Sequence, residues 1–143
     1  MEGKTFLERD LLLGSESSGK FRYDEGVEKG TLTLRFRDEK GKLLGKLSTD
    51  FRLQSGTDEL ISVDANFRYE LGRIGRKTFF VVMETFGVPA DPPAALSSGP
   101  YGIFTSGRST YPGAVEMGEG SYYRWGRGGW EELKLGKSSD LGI

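Results

Sequence analysis

The run Gly30-Thr31-Leu32-Thr33-Leu34-Arg35-Phe36-Arg37 leads through Asp38-Glu39-Lys40-Gly41 into Lys42-Leu43-Leu44-Gly45-Lys46-Leu47-Ser48-Thr49-Asp50-Phe51-Arg52-Leu53. Leu32, Leu34 and Phe36 fall on one side of a period of two. Thr31, Thr33, Arg35 and Arg37 fall on the other. Such alternation specifies a strand with one buried face and one wet face. Asp38–Gly41 reads as a turn. The second strand continues the pattern, with Leu43, Gly45, Leu47, Thr49, Phe51 and Leu53 on one face and Leu44 as the exception. Gly45 in mid-strand marks a bulge or sharp bend.

Working outward, Gln54–Thr57 reads as a turn and Ile61–Tyr69 as one strand, with Ile61, Val63, Ala65, Phe67 and Tyr69 facing inward. Gly72–Gly75 turns the chain again. Lys77–Phe86 is apolar on both faces, so its outer face is expected to be covered or to lie at a subunit contact. Gly87–Gly99 is proline-rich and reads as a long loop. Tyr101–Ser106 is a short strand and Arg108–Gly113 a turn. Val115, Met117, Glu119, Ser121, Tyr123 and Trp125 share one face of a further strand. Gly126–Gly129 closes a hairpin onto a strand from Trp130 to Leu135. Seven or eight strands with short connections and no long helix predict an all-β antiparallel fold. The long inward runs predict an eight-stranded barrel with a central cavity, because closure removes exposed edges. Residues 1–19 form an N-terminal arm or lid, with Gly14–Gly19 as its hinge; 20–136 form the barrel and 137–143 a tail.

Composition narrows the chemistry. The 143 residues contain neither His nor Cys, which removes the usual triads and thiol or imidazole zinc sites. No metal or other cofactor is expected. Twenty Lys and Arg balance 21 Asp and Glu for a net charge of −1. That balance points away from nucleic acid or a membrane as the main partner. Charged residues in the first ten positions and the short apolar run Leu11–Leu13 do not make a signal segment, so a cytoplasmic protein is expected.

The hairpin carries a resemblance. Gly30, Leu32, Phe36, Asp38, Glu39, Gly41, Leu44 and Gly45, continuing through Ser48 and Phe51-Arg52-Leu53, resemble the opening hairpin of the allene oxide cyclase-like barrels, and among them the small bacterial spirotetronate cyclases. Gly107–Gly113, ending Tyr111-Pro112-Gly113, resembles that family's Gly-Arg-Tyr-x-Gly turn, and Tyr123-Arg124-Trp125 its aromatic strand. Ile61–Tyr69 departs from the family in lacking paired tyrosines. The resemblance implies a cofactor-independent intramolecular [4+2] ring closure of a linear polyketide-derived substrate, and a homodimer.

Such a reaction needs orientation more than a base. Holding diene and dienophile together contributes roughly 7–11 kcal/mol in favourable cases. The expected lining is Phe36, Phe51, Phe67, Met83, Tyr101, Met117 and Trp125, around a hydrophobic small molecule. Tyr69 and Tyr123 are expected to donate hydrogen bonds. Glu119, inward by parity, is a general-acid candidate unless Gly118 and Gly120 turn it outward. Glu84 reads as the solvent-facing residue of its strand. Three other readings stay open: a cyclase using acid/base chemistry (oxa-Michael or epoxide opening), a non-catalytic, lipocalin-like binding protein, and a structural protein with a filled interior.

Overall fold

The computed structural model describes residues 28–73 and 77–133 together with the strand backbone of 14–17 and 20–23. Residues 1–13 and 18–19 of the expected arm or lid, the end of the expected last strand at 134–135, and the tail 137–143 lie outside this range. Every regular element described is a strand: β1 (Gly14–Ser17), β2 (Lys20–Tyr23), β3 (Lys29–Arg37), β4 (Leu43–Ser55), β5 (Glu59–Ile61), β6 (Phe67–Leu71), β7 (Phe79–Glu84), β8 (Tyr101–Thr105), β9 (Gly113–Met117), β10 (Tyr122–Gly126) and β11 (Gly129–Leu133). All pairings are antiparallel. Four sheets result, with orders β1-β2, β3-β4-β7-β8, β5-β6-β9 and β10-β11. Among the described residues no ring of hydrogen-bonded strands closes.

The founding hairpin forms as the alternation dictates. Asp38 Oδ1 accepts from the backbone nitrogens of Lys40 (3.0 Å) and Lys42 (2.8 Å), and Gly41 takes φ 81°, which a side chain would resist. The register shifts by one residue between Phe36, opposite Gly45, and Arg37, opposite Leu43. Leu44 is therefore the extra residue of a bulge, which explains its break in parity. Its exposure of 67% fits a residue released from the ladder.

Three readings of the sequence are corrected. Gly14–Ser17 is a strand paired with Lys20–Tyr23 rather than a hinge. Ile61–Tyr69 is two strands: Leu60 pairs with Tyr69, and Ser62–Asn66 is the turn between them. Ala65 sits there at φ 61°, with its nitrogen donating to the Ser62 carbonyl at 3.1 Å. The reversal also flips the inward parity. Leu60 and Ser62 are the buried residues before the turn and Phe67 and Tyr69 those after it, while Ile61, expected inward, lies opposite Arg68 and Val63 and Ala65 are exposed. Val115–Trp125 likewise divides into β9 and β10, in different sheets, because Gly118–Ser121 leaves the extended conformation.

The core lies between the two larger sheets. Leu60, Phe67, Tyr69, Leu71 and Val115 come from one, Phe80 and Val82 from the other, and Tyr111 from the loop before β9. The doubly apolar strand is now resolved: Phe80 and Val82 are fully buried, while Phe79 on the opposite face is 52% exposed. Tyr111 ties the loop down on several sides. Its ring meets Phe80 edge-on at 5.0 Å, its hydroxyl shares a 2.7 Å hydrogen bond with Thr78 Oγ1, and the Arg73 guanidinium lies 5.0 Å over its ring.

Candidate functional site

The ladder between β4 and β7 begins at Ser55–Phe79 and stops at Phe51–Met83, although β4 runs on to Leu43. Where β7 ends, Glu84 pairs with Tyr101 at the start of β8. The β5–β6 turn reaches the same place. Together these bound a cleft of about 340 Å³ lined by Ser48, Thr49, Asp50, Ser62, Val63, Asp64, Glu84 and Tyr101. Its volume lies within the range of small-molecule sites.

Asp64 organises this cleft. Its Oδ1 accepts from Ser62 Oγ at 2.5 Å and from the Asn66 nitrogen at 3.1 Å. Its Oδ2 accepts from the Tyr101 hydroxyl at 2.6 Å and Asn66 Nδ2 at 3.2 Å. Ser62 is itself buried, and its Oγ accepts from the Phe67 nitrogen at 3.1 Å. Burial alone would raise the Asp64 pKa, but the hydrogen bonds from Ser62, Tyr101 and Asn66 outweigh it and hold the carboxyl below its ordinary value. The Tyr101 hydroxyl is pushed well above its ordinary value, first by burial, then by its bond to Asp64 and the charges of Asp64 and Glu84. Tyr101 thus keeps its proton and points it at Asp64 as a hydrogen-bond donor. The phenol oxygen is left as an acceptor.

The remaining polar side chains follow the same logic. Thr31 Oγ1 donates to Asp50 Oδ1 at 2.6 Å, and Thr49 Oγ1 donates to the Glu84 carbonyl at 2.9 Å. What the cleft offers a guest is acceptors: the Tyr101 phenol oxygen and the carboxylates of Asp50 and Glu84. No Lys or Arg lines it. One wall is aromatic, because Phe67 stacks on Tyr101 with centroids 5.2 Å apart.

A larger groove, of about 510 Å³, runs along Arg52–Ser55, Thr57–Glu59, Ile61, Glu28 and Phe79. Two of its polar side chains hold its own walls. Gln54 donates to the Glu59 carbonyl at 3.2 Å and accepts from the Ile61 nitrogen at 2.8 Å, and Glu59 pairs with Arg68 at 2.9 Å. The smaller cleft, with its fixed protons and shared acceptors, is the better candidate.

The residues expected from sequence are dispersed. Tyr101 lies in the cleft with Phe67 behind it. Tyr69 is in the core, 1% exposed, donating to the Tyr111 carbonyl at 2.7 Å; its hydroxyl is raised to about 12 by burial, against a smaller opposing effect from Arg124. Phe51 and Met83 face each other across β4 and β7, half-buried. Phe36 is 51% exposed near the hairpin tip. Met117 pairs with Phe67 at the edge of the core. Tyr123 and Trp125 lie in the separate β10-β11 hairpin, with Trp125 packed edge-on against Trp130 at 5.4 Å. Glu119 is exposed in the Gly118–Ser121 bend, the outward placement its flanking glycines allow. Glu84 is exposed, as expected, but faces the cleft.

Sequence reasoning missed Asp50, Ser62 and Asp64. The signal available was Ser62-x-Asp64-x-Asn66, a spacing of short polar side chains that favours a turn over a strand. Comparison of the chain with protein-family models, with curated proteins and with solved structures finds no match.

Proposed function

We propose that this chain binds a small, donor-rich organic molecule, a primary amine or a polyol, in the cleft at Asp64 and Tyr101. The observation that carries this reading is the direction of the hydrogen bonds: Tyr101 spends its proton on Asp64, so the cleft meets a guest with lone pairs and negative charge. An amine gains from both, whereas a carboxylate guest would face like charges. Asp64 already accepts four hydrogen bonds and acts as a positioning residue; Glu84, Asp50 and Tyr101 contact the guest. Calorimetric titration with benzylamine and, separately, benzoate tests this. Benzylamine should bind, benzoate should not, and Glu84→Gln combined with Asp50→Asn should weaken the amine roughly tenfold. Equal binding of both probes, or indifference to the double substitution, would overturn it.

A second reading comes from the hairpin resemblance and is favoured by the Phe67–Tyr101 stack. There the chain is a cofactor-independent cyclase closing a ring in a linear polyketide-derived substrate laid against that aromatic wall. An eight-stranded barrel would suit it, whereas among the described residues two separate sheets share the core and no ring of strands closes. The middle of that core is filled by Leu60, Tyr69, Phe80 and Val82, so the reaction would run at the cleft rather than in a central chamber. Incubation with a linear polyene precursor, followed by chromatography for a cyclic isomer of the same mass, decides it. Formation at the uncatalysed rate would remove this reading and leave binding alone.

A further inference from the structure

Beyond the last β4–β7 pair, β4 continues from Asp50 to Leu43 with β3 on one side and, among the described residues, no strand on the other. Leu43, Leu44 and Leu47 along it are 45%, 67% and 42% exposed. A strand edge of this kind presents unpaired backbone donors and acceptors, a template for an added strand. The acceptor-lined cleft stands at one end of the open stretch, since Ser48, Thr49 and Asp50 belong to both. We propose that the physiological guest is an extended peptide that adds to the free edge of β4 and places its α-ammonium group in this cleft. The inference rests on the amine-binding reading above and gives that amine a carrier.

Charge sets the direction. A peptide antiparallel to β4 takes the line that β7 vacates, so its N-terminus lies nearest Glu84 and its later residues run toward Leu43. The parallel alternative would put a terminal carboxylate among Asp50, Asp64 and Glu84, where it is repelled. Side-chain preference follows from the register of the host. On one face the peptide's side chains lie beside Leu47 of β4, and on the other beside Lys46, with Leu34 and Arg35 one strand further away. An acidic side chain beside Lys46 forms an opposite-charge cross-strand pair and offsets the repulsion that Lys46 feels from Arg35. The peptide favoured by this edge therefore has a free N-terminus followed by alternating apolar and acidic residues. The bulge at Leu44 breaks the ladder and limits pairing to the first few residues.

The probe is Ala-Ile-Glu-Val-Asp with a C-terminal fluorophore, read by anisotropy against the full chain. N-acetylation should weaken binding at least tenfold, as should methylation of alternate backbone nitrogens, which leaves the side chains intact. Amide exchange of Lys46 and Ser48, whose N–H groups face the open edge, should slow when the peptide binds. Glu84→Gln should weaken the free-amine peptide and leave the acetylated one unchanged. Equal affinity of the acetylated peptide, or unaltered exchange along β4, would overturn the proposal. If benzylamine binds the cleft but the peptide binds no tighter, strand addition is refuted and amine binding stands; if neither binds, both readings fall.

Discussion

Tyr69 shows how one hydroxyl serves packing and hydrogen bonding at once. Buried to 1% exposure, it donates to the carbonyl of Tyr111 and pins the loop that precedes β9. Tyr69→Phe keeps the ring and leaves that carbonyl short of a donor, at a cost of about 1–2 kcal/mol in urea unfolding at neutral pH. The titration carries a second signature. The folded pKa is raised to about 12 from an ordinary 10.0, so the stability it reflects is fully present below about pH 10 and is lost as pH rises toward the folded value. The wild-type loss from this group is on the order of 2–3 kcal/mol, and the phenylalanine variant is spared it. Stability curves of the two proteins against pH should therefore cross in that alkaline window; curves that stay parallel would refute the assignment.

Among the elements, the β5–β6 turn is where alternation misled and where the cleft is made. Ile61, Val63, Ala65, Phe67 and Tyr69 satisfy a period of two whether or not the chain reverses between them. Period two reports a face only along an unbroken strand, and the reversal changes its phase: Leu60 and Ser62 are buried with Phe67 and Tyr69, whereas Ile61 lies opposite Arg68. The founding hairpin was legible because Asp38–Gly41 breaks the alternation outright; Ser62–Asn66 does not. Ala65 holds a left-handed backbone that costs an L-residue about 1 kcal/mol relative to glycine. Its side chain is exposed, so little packing is lost on its removal. Ala65→Gly should raise stability by roughly 0.5–1 kcal/mol, less the added entropy of the unfolded chain, in the same urea measurement. A destabilised variant would mean that the methyl group is doing something the backbone angle does not reveal.

At the level of the whole molecule, two sheets share one core, and the apolar stripes read from sequence found part of it. Phe67 and Tyr69 were expected inside and are; Phe36 and Trp125 were expected inside and stand about half exposed. Parity places residues on a face, but only the packing of sheet on sheet decides which face is covered. The site was less legible for the same reason, since Asp50, Asp64, Glu84 and Tyr101 come from four separate segments. Phe80, from the centre of the four-stranded sheet, meets the other sheet and Tyr111, so Phe80→Ala should cost about 3–5 kcal/mol and leave a largely unfolded chain by far-ultraviolet dichroism at 37 °C. The β10-β11 hairpin forms its own two-stranded sheet, tied to the rest where Leu133 packs against the core and Trp130 Nε1 donates to the Ala90 carbonyl at 3.2 Å. It also holds both indoles of the sequence, Trp125 and Trp130, packed edge-on across one strand pair. Intrinsic fluorescence is thus a local gauge: emission reports the surroundings of one ribbon, and a thermal scan read at that wavelength follows the loss of its contacts with Ala90 and the core.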